Sequence, residues 1–171
     1  MKKKIVAVLI IALVCSVSVF AAPKNKKANY RHGKDMGIGL NLGYPGLGLA
    51  FRYHNDDLRI LGAAAFDYKY GAIAIDATGE YIFATIDDSK RRPILDFSLG
   101  AGAGVGIPTD GESLYLAFEL GIIANYDIAD TPFSLFVRGL WRPYLTFGDD
   151  GKFEPVGFGA SAGFTYNIDL D

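Results

Sequence analysis

The sequence is poor in cysteine and histidine and has no excess of basic charge. Cys15 is the only cysteine, so a chain cleaved after Ala21 would have no disulfide bonds to support its fold. The formal net charge is -2, which is not the basic excess that indicates nucleic-acid binding. We therefore expect no nucleic-acid partner and a fold that is stabilised without covalent cross-links.

The sequence also lacks a long apolar run after its first 21 residues. Since a transmembrane helix needs about 18 or more consecutive apolar residues, no such helix is predicted there. The N-terminal segment Met1–Ala21 is different: lysines at positions 2–4 precede the apolar stretch Ile5–Phe20, and a small-residue cleavage site follows. This order predicts a cleaved secretory signal peptide. An uncleaved anchor and lipidation of Cys15 stay open as alternatives.

In place of long apolar runs, the sequence shows alternation. In Asp96–Ile107, apolar residues alternate with glycine or polar residues, as in a β-strand with one apolar face. Seven other segments repeat this pattern and are separated mostly by Gly, Pro, Asn and Asp turns. The eight predicted strands are Met36–Tyr44, Leu47–His54, Leu58–Lys69, Ala72–Ile86, Asp96–Ile107, Ser113–Tyr126, Phe133–Phe147 and Val156–Leu170.

These strands predict an all-β domain over residues 35–171, after a flexible basic lead-in over residues 22–34. Eight strands joined by short turns favour an antiparallel up-and-down sheet. Such a sheet leaves two exposed edges unless it closes, and an even number of strands lets the first pair with the last. The prediction is therefore an eight-stranded antiparallel up-and-down β-barrel.

The charged residues of the predicted strands all fall on one face, opposite the large apolar side chains. A transmembrane barrel turns the apolar face toward lipid and the charges inward, and a soluble barrel does the reverse. The glycines Gly100, Gly102, Gly104 and Gly106 share the charged face, and a solvent-facing row of glycines would weaken a strand. We therefore expect a transmembrane barrel with an internal salt-bridge network. Its predicted members are Arg52, Arg59, Asp67, Lys69, Asp76, Glu80, Asp96, Glu119, Arg138 and Arg142.

The signal peptide, the eight amphipathic strands and the charged lumen resemble small outer-membrane barrels of the OmpA transmembrane-domain and OmpX type. The segment Gly37–Gly46 also resembles an uncharacterised family of such barrels in diderm bacteria. The segment Gly163–Ile168 resembles the C-terminal signal that barrel-insertion machinery reads. The resemblance implies a location in the outer membrane, with outer-membrane lipid and the barrel-assembly machinery as partners.

No enzymatic, cofactor or metal site is predicted. Gly159–Gly163 matches the G-x-S-x-G nucleophile elbow, but the elbow needs a strand–turn–helix context and a downstream histidine. Here the match lies within a predicted strand, and both His32 and His54 precede it. His54, at the end of a strand, is expected to be solvated. The acidic residues of Asp149–Glu154 lack the spacing of an EF-hand.

We expect a structural or anchoring outer-membrane barrel, because side chains just fill the interior of an eight-stranded barrel. Its oligomeric state stays open, with a monomer as one option. Two other functions also stay open. The first is a narrow channel or a carrier of small hydrophobic solutes. The second is a soluble periplasmic lipocalin-like binding protein whose apolar face points inward.

Overall fold

A computed structural model describes residues 34–55, 58–89, 93–110, 113–148 and 151–170 of the chain. The predicted signal peptide over residues 1–21 lies outside these ranges, as does the lead-in up to residue 33. Parts of the predicted turns at residues 56–57, 111–112 and 149–150 also lie outside them. Within the described ranges, no helix is long and apolar enough to cross a bilayer.

The described residues form ten β-strands, of which eight make the wall of a barrel and two extend it at one end. Alternating side chains and turn residues account for these strands, as the sequence pattern predicts. The strands are β1 (Lys34–Tyr44), β2 (Gly46–Asn55), β3 (Leu58–Asp67), β4 (Ala72–Asp87), β5 (Pro93–Pro108), β6 (Leu114–Asp127), β7 (Phe133–Trp141), β8 (Tyr144–Phe147), β9 (Phe153–Glu154) and β10 (Phe158–Asp169).

The sheet closes on itself through antiparallel neighbours. Strands β1 to β7 pair in chain order, and β10 joins β7 to β1. In the closing pair, Leu40 of β1 lies opposite Phe164 of β10. The predicted fold class, an all-β eight-stranded antiparallel barrel, is therefore confirmed.

Side chains alternate between the outside and the inside of this wall. Leu99, Phe118 and Phe164 point outward and are 49%, 44% and 38% exposed. Glu119 and Arg138 point inward and are only 4% and 6% exposed. The barrel therefore has an apolar exterior and a charged interior.

The seventh predicted strand is interrupted. The sequence predicts one strand over Phe133–Phe147, but the structure divides it into β7 and β8 at Arg142 and Pro143. Proline has no N–H to donate to a ladder, so a strand tends to break or bulge there. The N–H of Arg142 instead donates to the carbonyl of Gly157 at 2.7 Å. Beyond the break, β8 pairs with β6 and β9, so this hairpin prolongs the wall.

The third predicted strand is too long by two residues. It was predicted to reach Lys69, but β3 ends at Asp67 and a tight turn follows. The carboxylate of Asp67 accepts the N–H groups of Lys69 and Tyr70 at 3.0 and 3.2 Å, which stabilises that turn. Gly71 completes the turn at a φ of 56°, in the left-handed region that glycine adopts without strain.

The two ends of the barrel are named by their landmarks. β1 begins and β10 ends at the termini end, which also carries the β2–β3, β4–β5 and β6–β7 connections. The β1–β2 turn at Pro45 lies at the opposite end, the Pro45 end, together with the β3–β4 and β5–β6 connections and the β8–β9 hairpin. The barrel is therefore taller at the Pro45 end on the side of β6 and β8.

Gly106 has no side chain, and this leaves room for the ring of Tyr115 inside the barrel. The two residues are opposite each other in the β5–β6 ladder, and a Cβ added to Gly106 would lie 2.2 Å from Cζ of the tyrosine ring. The ring cannot easily move away, because it is buried and its hydroxyl donates to Asp67 at 2.6 Å. Glycine is therefore required at this position by packing.

We predict that Gly106→Ala lowers the free energy of unfolding by about 1–3 kcal/mol, the usual cost of overpacking. Gly139→Ala is the matched control, because an added Cβ there meets no atom within 4 Å. Urea unfolding of both variants under identical conditions measures the difference. Equal stability of the two variants would contradict the packing role of Gly106.

Candidate functional site: the charged lumen

One charged cluster lies inside the barrel toward the Pro45 end and is centred on Arg138. Its guanidinium contacts Asp76 through two bonds of 2.7 and 3.2 Å. Its Nε also donates to Ser161 at 2.8 Å. This bidentate geometry holds a guanidinium strongly and in a fixed orientation, so the pair ties β7 to β4 across the interior.

Arg142 belongs to the same cluster and contacts two acidic side chains. Its Nε donates to Glu119 at 3.0 Å, and its Nη1 lies 3.5 Å from Oδ2 of Asp67. The second oxygen of Glu119 accepts a hydrogen bond from Thr78 at 3.0 Å. We call this cluster the Pro45 network; its charged members are Asp67, Asp76, Glu119, Arg138 and Arg142.

A second charged cluster lies toward the termini end and contains two arginines. Arg59 Nη2 donates to Asp96 at 2.8 Å, and its Nη1 lies 3.8 Å from Glu80. Arg52 Nη1 donates to Asp127 at 3.1 Å. His54 Nδ1 lies 3.4 Å from Asp35. We call this cluster the termini network; its charged or titratable members are Asp35, Arg52, His54, Arg59, Glu80, Asp96 and Asp127.

Neutral side chains donate further hydrogen bonds to the carboxylates of the termini network. Thr85 donates to Asp96 at 2.8 Å, and Asn125 donates to Glu80 at 2.7 Å. Ser134 donates to Asp127. A buried carboxylate is costly unless its oxygens are hydrogen-bonded, so these neighbours reduce the cost of the charges in the lumen.

Nine of the ten residues predicted for the lumen network lie in these two clusters, and Lys69 does not. Lys69 is exposed, because β3 ends before it. Its Nζ lies 4.8 and 5.2 Å from the ring centroids of Tyr70 and Tyr144. The lysine therefore makes cation–π contacts at the mouth of the barrel rather than an ion pair inside it.

Three members of the termini network were missed by sequence reasoning: Asp35, His54 and Asp127. The prediction that His54 is solvated is wrong, since the side chain is 2% exposed and faces Asp35. All three lie at strand ends, where the predicted strands stopped short or solvation was assumed. Strand parity could have found them, because each is an even number of residues from a lumen position in its own strand.

Among the residues that the structure describes, the lumen carries more acidic than basic groups. The sequence predicts five of each sign, but the two networks together contain seven carboxylates and four guanidinium groups in the described part of the chain. The difference arises because Lys69 is outside, whereas Asp35 and Asp127 are inside. A cleft with a surplus of one sign attracts counter-ions, so the described side chains of this interior favour cations over anions.

An apolar layer separates the two networks. It consists of Ala50, Leu61, Ile123 and Phe136, which pack together and are 0–4% exposed. On β6, Ile123 lies between Glu119 of the Pro45 network and Asn125, which contacts the termini network. Sequence reasoning missed this layer because it classed the inward face as polar, including Leu61.

Three tyrosines narrow the mouth of the lumen at the Pro45 end. The ring centroid of Tyr70 lies 5.2 Å from that of Tyr115 and 5.1 Å from that of Tyr144. Burial of the Tyr70 hydroxyl, which lies in the β3–β4 turn, raises its pKa above the usual value for tyrosine.

A cavity of about 30 Å³ lies beside the β1–β2 turn and is lined in part by Asn41, Pro45 and Arg138. This volume suits a water molecule or two rather than an organic solute.

The described residues form no metal site, and no known relative indicates what this lumen binds or does. Within the described ranges, no group of three or more His, Cys, Asp or Glu side chains could hold a metal ion. Comparison of the chain with protein-family models, curated proteins and solved structures found no match. The arrangement of the lumen residues is therefore the guide to function.

We predict that Arg138→Met destabilises the folded barrel by about 3–5 kcal/mol, because it leaves Asp76 as an uncompensated buried charge. The control is Lys152→Met, which removes a pair with Glu154 of similar length, 3.2 Å, on an exposed lysine. That change should cost about 0–1 kcal/mol. Denaturant unfolding of both variants measures the contrast.

Adding Asp76→Leu to Arg138→Met should recover part of the lost stability, since it removes the unpaired carboxylate. A double variant no more stable than Arg138→Met would show that the loss comes from packing and not from the buried charge. Equal effects of Arg138→Met and Lys152→Met would likewise contradict the buried pair.

Proposed function

We propose that the chain is a small outer-membrane β-barrel protein with a structural or anchoring role and a lumen filled by side chains. The observation that carries this proposal is an apolar exterior around a charged interior. Leu40, Ile122 and Val137, on three different strands, are each 42–59% exposed. An arginine or lysine on the lipid face costs about 2–4 kcal/mol at mid-membrane. Among the outward positions of the described wall strands, only Lys34, at the first position of β1, is either residue.

The position of the aromatic residues on the exterior supports a membrane. Transmembrane barrels carry aromatic girdles at both lipid–water boundaries. Tyr44 and Tyr68 lie together at one end, with ring centroids 5.9 Å apart, and Phe133 and Tyr166 lie together at the other, 5.4 Å apart. Other outward aromatic residues near the strand ends are Phe66, Trp141 and Phe158 at the Pro45 end, and Tyr53 and Tyr126 at the termini end.

The lengths of the barrel strands are sufficient for a bilayer. A tilted transmembrane strand needs about 9–11 residues, and the eight wall strands have 9 to 16. In the sequence, the signal-peptide pattern over Met1–Ala21 supports export across the inner membrane. The likeness of Gly163–Ile168 to a C-terminal assembly signal supports insertion by the barrel-assembly machinery. In this arrangement the termini end faces the periplasm and the Pro45 end faces outside.

The filled lumen favours an anchoring role over a carrier. A soluble lipocalin-like binder would place its apolar face inward around a ligand cavity. Here the inward face carries two ion-pair networks. The cavity at the Pro45 end has a volume of about 30 Å³, which is too small for an organic ligand. The apolar side chains that a carrier would need for its ligand point outward instead.

Fractionation of cells expressing the full chain tests this proposal. We expect the protein in the outer-membrane fraction and expect its gel migration to change on heating, as it does when a detergent-resistant barrel unfolds. Release of the protein by osmotic shock, in a form soluble without detergent, would contradict the proposal and support the soluble binder.

The substitution Val137→Arg tests the lipid-facing surface directly. Val137 lies in the middle of β7 and points outward, so the charge should destabilise the bilayer-inserted barrel by about 2–4 kcal/mol. Thr109→Arg places the same side chain on an exposed turn and should change stability by no more than about 0.5 kcal/mol. Unfolding of both variants in lipid vesicles is the measurement. Equal stability would indicate that Val137 faces water.

A further inference from the structure

The apolar layer of Ala50, Leu61, Ile123 and Phe136 lies across the lumen. It separates two charged compartments, one that contains the Pro45 network and one that contains the termini network. We infer that this layer is the permeation barrier of an otherwise cation-attracting pathway through the barrel. The inference rests on the proposed membrane function, because a permeation pathway requires a barrel that spans a bilayer.

Ile123 and Phe136 close the lumen by occupying space that glycines leave. A Cβ added to Gly163 would lie 2.5 Å from Cζ of Phe136, and a Cβ added to Gly100 would lie 2.8 Å from Cδ1 of Ile123. The two large side chains therefore reach over residues that have no side chain of their own. Truncating them would leave a gap that the opposing glycines cannot fill.

The layer differs from both compartments in its affinity for water. Its side chains carry no polar atoms, and Ile123 and Leu61 are 0% and 1% exposed, so water finds almost no space against them. On the termini side, the Nε atoms of Arg52 and Arg59 are buried and have no hydrogen-bond partner in the protein. Such donors favour hydration, so the compartments accept water and small ions more readily than the layer.

The charges on either side predict which ions would pass. The termini network places four carboxylates near two guanidinium groups and His54, and the Pro45 network places three carboxylates near two guanidinium groups. Counted over the described ranges, both compartments thus have an acidic surplus, which raises the local concentration of cations. A pathway opened through the layer should therefore conduct potassium in preference to chloride.

The experiment compares the wild-type protein with Ile123→Ala/Phe136→Ala in planar bilayers. Insertion is established first, by heat-modifiable migration and by protease protection in vesicles. We expect the wild-type protein to show no steady conductance and the double variant to show discrete channels. In a potassium chloride gradient, the reversal potential should have the sign of cation selectivity.

The matched control is Ile122→Ala/Leu135→Ala. These residues are the chain neighbours of Ile123 and Phe136 but face outward, so large apolar side chains are truncated on the lipid-facing surface instead of in the lumen. We expect this variant to remain closed. If the lumen double variant does not fold, Ile123→Ala and Phe136→Ala are measured singly, each with an expected conductance above that of wild type.

Several outcomes would overturn the inference. Steady conductance of the wild-type protein would show that the layer does not block ions. An inserted lumen variant that stays closed would place the barrier elsewhere, and chloride selectivity would contradict the role of the carboxylates. Failure of the wild-type protein to insert at all is a different result, because it would contradict the proposed function itself.

Discussion

An eight-stranded barrel has an interior only about as wide as the side chains that fill it, and the structure of this protein depends on that limit. Every second residue of each wall strand must therefore fit inside the barrel. Gly106 is small because Tyr115 occupies the space beside it. Asp76 is tolerated because Arg138 reaches it across the interior. The apolar exterior follows from the same alternation, since the residues between the inward ones must face outward.

The charges inside the barrel are arranged in layers rather than spread evenly. Each end has its own network, and the layer containing Ile123 and Phe136 separates them. This arrangement limits the cost of burying charges and also keeps the two networks apart. Buried ion pairs cost desolvation and contribute little net stability when isolated, but here neutral donors such as Thr78 and Asn125 add hydrogen bonds to the carboxylates. The apolar layer, in turn, keeps the two hydratable regions apart.

Much of the fold could be predicted from periodicity, and the errors have local causes. The alternating pattern was sufficient for the number of wall strands, their antiparallel order and most of the membership of each face. In β4, a register shift between Ile82 and Ala84 turns Ile86 outward, to 51% exposure, although the pattern predicts it on the inward face. The break at Pro143 was missed because the apolar alternation continues across it, although proline cannot donate to the ladder. Lys69 was placed inside because its parity matches the inward face, but Asp67 caps the turn and ends the strand first. His54 was assumed to be solvated because it ends a strand, whereas Asp35 of the neighbouring strand covers it.

Within an uninterrupted strand, the sequence by itself determined which residues face inward, because the side-chain period of a strand is two regardless of its neighbours. Only the tertiary structure decided which of those residues meet. Arg138 and Asp76 are 62 residues apart, on strands that are not adjacent in the wall, and Arg59 reaches Asp96 over 37 residues. Contacts of this kind depend on the register of every intervening strand pair and on the curvature of the closed sheet. The pattern of an individual strand carries neither quantity, so the pairings, the acidic surplus and the apolar layer emerge only when the barrel closes.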